Sequence, residues 1–127
     1  MAEMFFYRAK VERVIDGDTM DLLVDLGFDV HHRVRVRLHG INTPESRTSD
    51  LREKELGLKS KAFAEDWTTR HQEVFIQTVK DKKEKFGRIL ARIYSDENKT
   101  ACLNDDLVDS GNARVYNGEK RNGWFGE

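Results

Sequence analysis

The segment HHRVRVRLHG at 31–40 constrains the fold more than any other stretch of the chain. His32, Arg33, Val34, Arg35, Val36, Arg37 and Leu38 alternate strictly, and a period of two is the mark of a β-strand. Val34, Val36 and Leu38 then share one face, and Arg33, Arg35 and Arg37 share the other. In an ordinary strand the charged set faces solvent, which is the reading for Arg33 and Arg35. A barrel or strongly coiled sheet bends that two-face rule, because a residue near a strand end is turned into a cleft.

The flanking segments extend the sheet. YRAKVERVI at 7–15 reads as a first strand, Asp16-Gly17-Asp18 as a tight turn, and TMDLLVDL at 19–26 as a second strand closed by Gly27. Gly40-Ile41-Asn42-Thr43-Pro44-Glu45 ends the third strand and leads into a loop. Asp50 stands three residues before Glu53, the capping-box spacing that starts a helix. Leu51, Leu58, Ala62, Phe63 and Trp67 supply its apolar stripe to about residue 68, weakened but not abolished by Gly57. Glu73–Val79 and Arg88–Tyr94 alternate again, on either side of the charged run DKKEK at 81–85.

ACLNDDLVDS at 101–110 predicts a short helix with Leu103, Leu107 and Val108 inward, stopped by Gly111, and 113–116 a last extended piece. Five short strands with a helix between the third and fourth suggest a mainly β fold with packed helices, a small closed barrel of the oligonucleotide-binding (OB) type.

With 127 residues, 38% of them apolar, one domain over 1–127 is expected, with a core that needs no staples. The single cysteine, Cys102, excludes an internal disulfide and a thiolate metal cluster, and a buried inert thiol is expected. A net charge of -1 supplies no monopole for coating nucleic acid, yet leaves room for an enzyme with a local cationic pocket. The N-terminal segment lacks the apolar core of a signal peptide, and no stretch nears the roughly 18 apolar residues that span a membrane. The expected home is the cytoplasm, or outside the cell if a leader was removed, with no membrane partner.

Asp16, Asp18, Asp21, Asp25 and Asp29 are dense enough to raise a calcium loop. Counted from Asp16, however, the sixth position is Asp21 where glycine is needed and the twelfth is Gly27 where glutamate is needed. Aspartate and glycine between strands are more often turn formers than ligands. His31, His32, His39 and His71 have no HExxH spacing, and no serine sits in a glycine-flanked elbow. A carboxylate-rich chemistry suited to a hard ion such as calcium or magnesium remains.

Four segments then act together: VIDGDT at 14–19, VRLHGINTPES at 36–46, KEKFGRILARIY at 83–94 and LNDDLVDSGNARV at 103–115. In order and spacing they resemble the staphylococcal nuclease (thermonuclease) family over roughly residues 7–116. The resemblance implies a five-stranded OB barrel with packed helices and calcium-dependent hydrolysis of DNA and RNA to 3'-phosphate ends. It implies little sequence preference, with single strands or open duplex ends as the easiest substrates.

By the same resemblance Asp18 is a metal ligand, with Asp16 close to the ion, Asn42 a second ligand, and Thr43 a donor through its backbone carbonyl. Arg37, Glu45 and Arg88 match the catalytic set: two arginines on the scissile phosphate, and a carboxylate that activates or positions the attacking water.

The sequence departs from that pattern in three places. Asn42 stands where the best-known members have an aspartate, which weakens the ligand set and opens it to Mg2+ or Mn2+ beside Ca2+. Phe86 replaces a tyrosine, with Lys85 kept beside it as a phosphate contact, and Tyr116 lies one residue early for a nucleotide-stacking tyrosine. The long final helix is truncated or absent. The tail 117–127 is expected to be flexible, with Trp124 and Phe125 folding back on the barrel or meeting another chain, and nothing in the sequence supports an oligomer directly. The alternative to an enzyme is a non-catalytic OB module that binds nucleic acid or protein.

Overall fold

The computed structural model describes residues 5–79 and 89–116. In chain order its elements are β1 (Phe6–Asp16), β2 (Thr19–Asp25), β3 (His31–Leu38), β4 (Ile41–Asn42), α1 (Leu51–Arg70), β5 (Glu73–Val79), β6 (Ile89–Tyr94), α2 (Leu103–Asp109) and β7 (Arg114–Val115). Five strands close a barrel in the order β1-β2-β3-β6-β5, and β5 returns to pair with β1. Its pairs are antiparallel except β3 with β6. The fold is the mixed OB-type barrel with packed helices that the strand order predicts.

Alternation fills the barrel. Met20, Leu22 and Val24 of β2, Val36 and Leu38 of β3, Val74 and Ile76 of β5, and Ala91 and Ile93 of β6 form its core. β1 breaks the period, with register shifts between Val11 and Arg13 and again between Val14 and Asp16. Such bulges add a residue and twist the strand, so the consecutive Val14 and Ile15 are both buried. The second shift lies immediately before the turn that carries Asp16 and Asp18.

Helix α1 starts where expected, with the Asp50 side chain accepting from the N–H groups of Arg52 and Glu53. Its buried face is not the expected one. Leu51 and Leu58 are 77% and 49% exposed and Ala62 is exposed, while Gly57, Ser60, Ala64, Trp67 and Thr68 are buried. The helix lies so close to its neighbours that small residues fit and leucines do not. A Cβ added at Gly57 would sit 2.3 Å from the carbonyl oxygen of Glu45, deep inside van der Waals contact. Trp67 is the one large anchor, and its indole N–H donates to Asp106 Oδ2 at 2.8 Å.

Helix α2 ends as predicted, with Gly111 at φ 83° and its N–H donated to the Val108 carbonyl. Leu103 and Leu107 are inward, Val108 is only half-buried, and Asn104 is fully buried. The Asn104 amide donates to the carbonyls of His39 (2.9 Å) and Ala91 (3.2 Å) and accepts from the Ile93 N–H (3.1 Å). It therefore joins α2, β6 and the end of β3 through polar groups that would otherwise be buried without partners. Cys102 is buried too, and burial pushes its thiol up, away from the reactive thiolate.

The loop expected after β3 contains a strand. Ile41 pairs with Val115 and Asn42 with Arg114, which lays 114–116 beside the end of β3. Two residues are too few to show a period. The tail 117–127 lies outside the described residues, and among those described no helix is long and apolar enough to cross a membrane.

Candidate active site

Gly17 is the tightest point of the β1–β2 turn. A Cβ there would meet Ser60 Cβ at 2.8 Å and Thr43 Cγ2 at 3.1 Å, so the turn is wedged between α1 and the segment after β4. This contact brings Asp16 and Asp18 to the end of the barrel where β3 finishes.

Asp18 is buried among donors. Its Oδ1 accepts from the Thr19 hydroxyl at 3.1 Å and its Oδ2 from the Thr43 N–H at 3.2 Å, while its carbonyl accepts from the Leu38 N–H at 2.8 Å. Asp16 is half-buried and turned to the loop, its Oδ1 accepting from both the N–H and the hydroxyl of Ser46. Thus Asp18 is held against β3 and Thr43, and Asp16 against Ser46.

Arg37 converges on the same place. Its side chain is 15% exposed, and Nη2 donates to the Ile41 carbonyl (3.3 Å) and Asn42 Oδ1 (3.2 Å) while lying 3.9 Å from Asp18 Oδ2. The Tyr116 ring covers its guanidinium at 5.4 Å, fixed there by a 2.7 Å bond from the Tyr116 N–H to the Gly40 carbonyl. A charge so enclosed is favourable only with opposite charge and acceptors around it, and the structure supplies both.

Glu45 sits on the outer lip and is exposed. Its backbone is fixed from two sides, the N–H donating to Glu53 Oε2 at 3.1 Å and the carbonyl pressed against Gly57. Asp16, Asp18, Arg37, Asn42, Thr43, Glu45 and Tyr116 therefore lie on connected segments at one barrel end. Lys85, Phe86 and Arg88 lie outside the described residues.

Among the described residues no group of three or more His, Cys, Asp and Glu side chains converges on one point as a metal set. The donors that do come together are the Asp18 carboxylate and the Asn42 amide oxygen, linked through Arg37 and Thr43. Both are oxygen donors with lone pairs beyond those already engaged, so their chemistry fits a hard divalent cation, with one neutral oxygen where two carboxylates would bind more tightly.

Sequence reasoning missed the residues that hold these groups. Ser46 anchors Asp16, Glu53 anchors Glu45, and Gly17, Gly57 and Ser60 allow the close approach. The one available signal was Gly57 itself, a helix-interior glycine whose cost needs a packing reason.

The comparisons with known proteins agree with this arrangement. The family model described as Staphylococcal nuclease homologue matches residues 35–124, more than half of the chain. A protein named micrococcal nuclease from Shigella flexneri is 28% identical over 116 residues, an overlap of 87% of this chain and 59% of that protein. The chain thus spans less than two thirds of the length of this relative. Residues 35–124 contain both Arg37 and the whole chain path that leads from it through Glu45 and α1 back to Tyr116, and on that match the chain belongs to the staphylococcal nuclease family.

Proposed function

We propose that the chain is a divalent-metal phosphodiesterase that cleaves DNA and RNA with little sequence preference and leaves 3'-phosphate ends. The observation that carries this reading is the enclosure of Arg37 beside Asp18 and Asn42 at the barrel end. Attack on phosphorus spreads negative charge over the equatorial oxygens, and a pre-set guanidinium stabilises that state more than the ground state. The described contacts of Arg37 run through Nη2, and its planar fork carries further N–H donors suited to two phosphate oxygens.

Asp18, Asn42 and the Thr43 carbonyl would hold calcium, or magnesium or manganese in its place. When bound, such an ion polarises a phosphate oxygen and lowers the pKa of a coordinated water. Glu45, on its anchored lip, accepts the water proton or fixes the water's orientation; an ordinary carboxylate is a weak base at neutral pH, which favours the second role. Arg88 is assigned to the departing 5' oxygen and Lys85 to a flanking phosphate, with Phe86 and Tyr116 bordering the nucleotide. Single strands and open duplex ends fit best, since the groups lie at a barrel end and no arginine-rich recognition helix accompanies them.

Asn42 favours a second reading, a module that binds nucleic acid or protein without cutting it. End-labelled single-stranded DNA, incubated with calcium, magnesium or manganese and with an EDTA blank, separates the two. The nuclease predicts metal-dependent cleavage to 3'-phosphate ends, lost in EDTA. Folded protein that cuts with none of the three ions would establish the binding module instead.

A further inference from the structure

The opposite end of β1 carries a second arrangement of groups that the barrel core does not use. Tyr7 and Ala9 pack with the core, so Phe6 and Arg8 point to the outer face of the barrel. Arg8 pairs in register with Phe75 of β5, and Phe75 with Tyr94 of β6, so one row crosses three strands on that face. Phe6 and Phe75 stack with centroids 5.7 Å apart and planes within 17°, and Phe6 meets Tyr94 at 6.3 Å. The Arg8 guanidinium lies 5.5 Å from the Phe75 ring, and the Lys99 ammonium 5.4 Å from Phe6 and 5.1 Å from Tyr94.

Two backbone features show that this row is built and not accidental. Phe5 has φ 61°, a left-handed conformation that a bulky side chain rarely adopts, and its ring is 58% exposed. Its carbonyl accepts from the Thr78 N–H at 3.0 Å, which holds the residue in that conformation. Lys99 is left-handed as well, at φ 59°, in a turn where Asp96 Oδ1 accepts from the N–H groups of Asn98 and Thr100. Strain of this kind persists only where the surroundings impose it, and here it presents one ring and one cation to the same surface.

Flat rings flanked by cations match a single-stranded polynucleotide, whose bases stack on aromatic faces while its phosphates meet the charges. The one acid paired within the row, Glu73, is 3.3 Å from Arg8 with both side chains more than half exposed, a contact that a phosphate readily replaces. We propose that the outer face of β1, β5 and β6 is a second contact for single-stranded nucleic acid, remote from the cleaving end. The proposal rests on the nuclease reading for its ligand class only. From Phe6 to Asp16 the strand runs about 30 Å, the length of a stacked strand on the order of ten nucleotides at ~3.4 Å each. Short oligomers therefore reach one contact and long ones reach both.

The test measures binding of labelled oligothymidylates of about 4 and about 20 nucleotides in EDTA, where no cleavage occurs, by fluorescence anisotropy. The wild-type chain binds the long oligomer more tightly. Phe5→Ala with Lys99→Ala removes that advantage by at least about fivefold, the low end of one base–aromatic stack, and leaves the short oligomer unchanged. Lys99→Ala alone lowers the salt slope by about 0.7. Equal affinities of variant and wild type for the long oligomer, or no binding of it by the wild type, overturn the proposal. Cleavage of the short oligomer in calcium is scored separately, so the two readings fail independently: cleavage without a length advantage sinks the platform, and a variant-sensitive length advantage without cleavage sinks the nuclease.

Discussion

The outer half of β3 and its last turn-facing residue carry the same side chain on the same face, yet come to different ends. Arg33 pairs with Glu12 at 2.8 Å and Arg35 with Asp21 at 2.9 Å, with 76% and 51% of their side chains in solvent. Arg37, two residues on, is 15% exposed and meets a carboxylate, an amide, a carbonyl and an aromatic ring. Alternation sets the face in all three. The difference comes from where the strand ends: only there do the β1–β2 turn, β4 and the segment after β7 converge. Position along a strand, and not face alone, separates a solvated charge from one enclosed in a site.

That contrast predicts its own largest effect. Arg37→Ala lowers turnover about 10²- to 10³-fold, the range seen when one donor to a developing oxyanion is removed, as steady-state cleavage kinetics would show. Arg35→Ala leaves turnover at the wild-type value, because an open ion pair contributes little. Equal losses in the two variants would erase the distinction between strand end and strand middle.

A second effect acts through the scaffold under the site. Gly57→Ala forces a methyl against the Glu45 carbonyl, and overpacking of this kind costs about 1–3 kcal/mol, measurable by urea unfolding. Its turnover falls as well, since the displaced backbone is that of Glu45. Normal stability in this variant would show that α1 sits further from the loop.

Smaller is the change at the ligand beside Arg37. Asn42→Asp replaces a neutral oxygen by a charged one, so calcium titration followed by turnover shows half-saturation at lower calcium. Smallest is a pH effect confined to the outer half of β3. The hydrogen bond from Arg35 holds the Asp21 carboxyl below its ordinary value of 3.8, despite some opposing desolvation. A folded-state value that is depressed gives stability present above pH 3.8 and lost as pH falls below it toward the folded value. Arg35→Ala removes that dependence, so its acid unfolding differs from wild type only in that window and the curves agree near neutrality.

Much of this molecule is legible in its sequence, for identifiable reasons. The barrel strands announce themselves because their inner faces alternate, and the Asp50 cap and Gly111 stop are local chemistry that needs no partner. The buried face of α1 is not legible, since Leu51 and Leu58 are apolar and exposed while Gly57 and Ser60 are small and buried. Close approach, which decided that outcome, is a property of two segments and not of one. The β4–β7 pair escapes notice for the same reason, as does the buried amide of Asn104. The site is intermediate. Asp18, Arg37, Asn42, Thr43, Glu45 and Tyr116 stand out by resemblance, whereas the anchoring roles of Ser46 and Glu53 exist only once the loop is folded against α1 and β1.

The claim that a phosphate is met at the end of β3 is tested most directly by single-turnover cleavage of end-labelled single-stranded DNA in saturating calcium by the wild type, Arg37→Ala and Arg35→Ala, each shown to be folded by circular dichroism. The account predicts wild-type rates for Arg35→Ala and a loss of at least about 10²-fold for Arg37→Ala. An Arg37→Ala rate equal to the wild type would contradict it and place the chemistry elsewhere on the barrel.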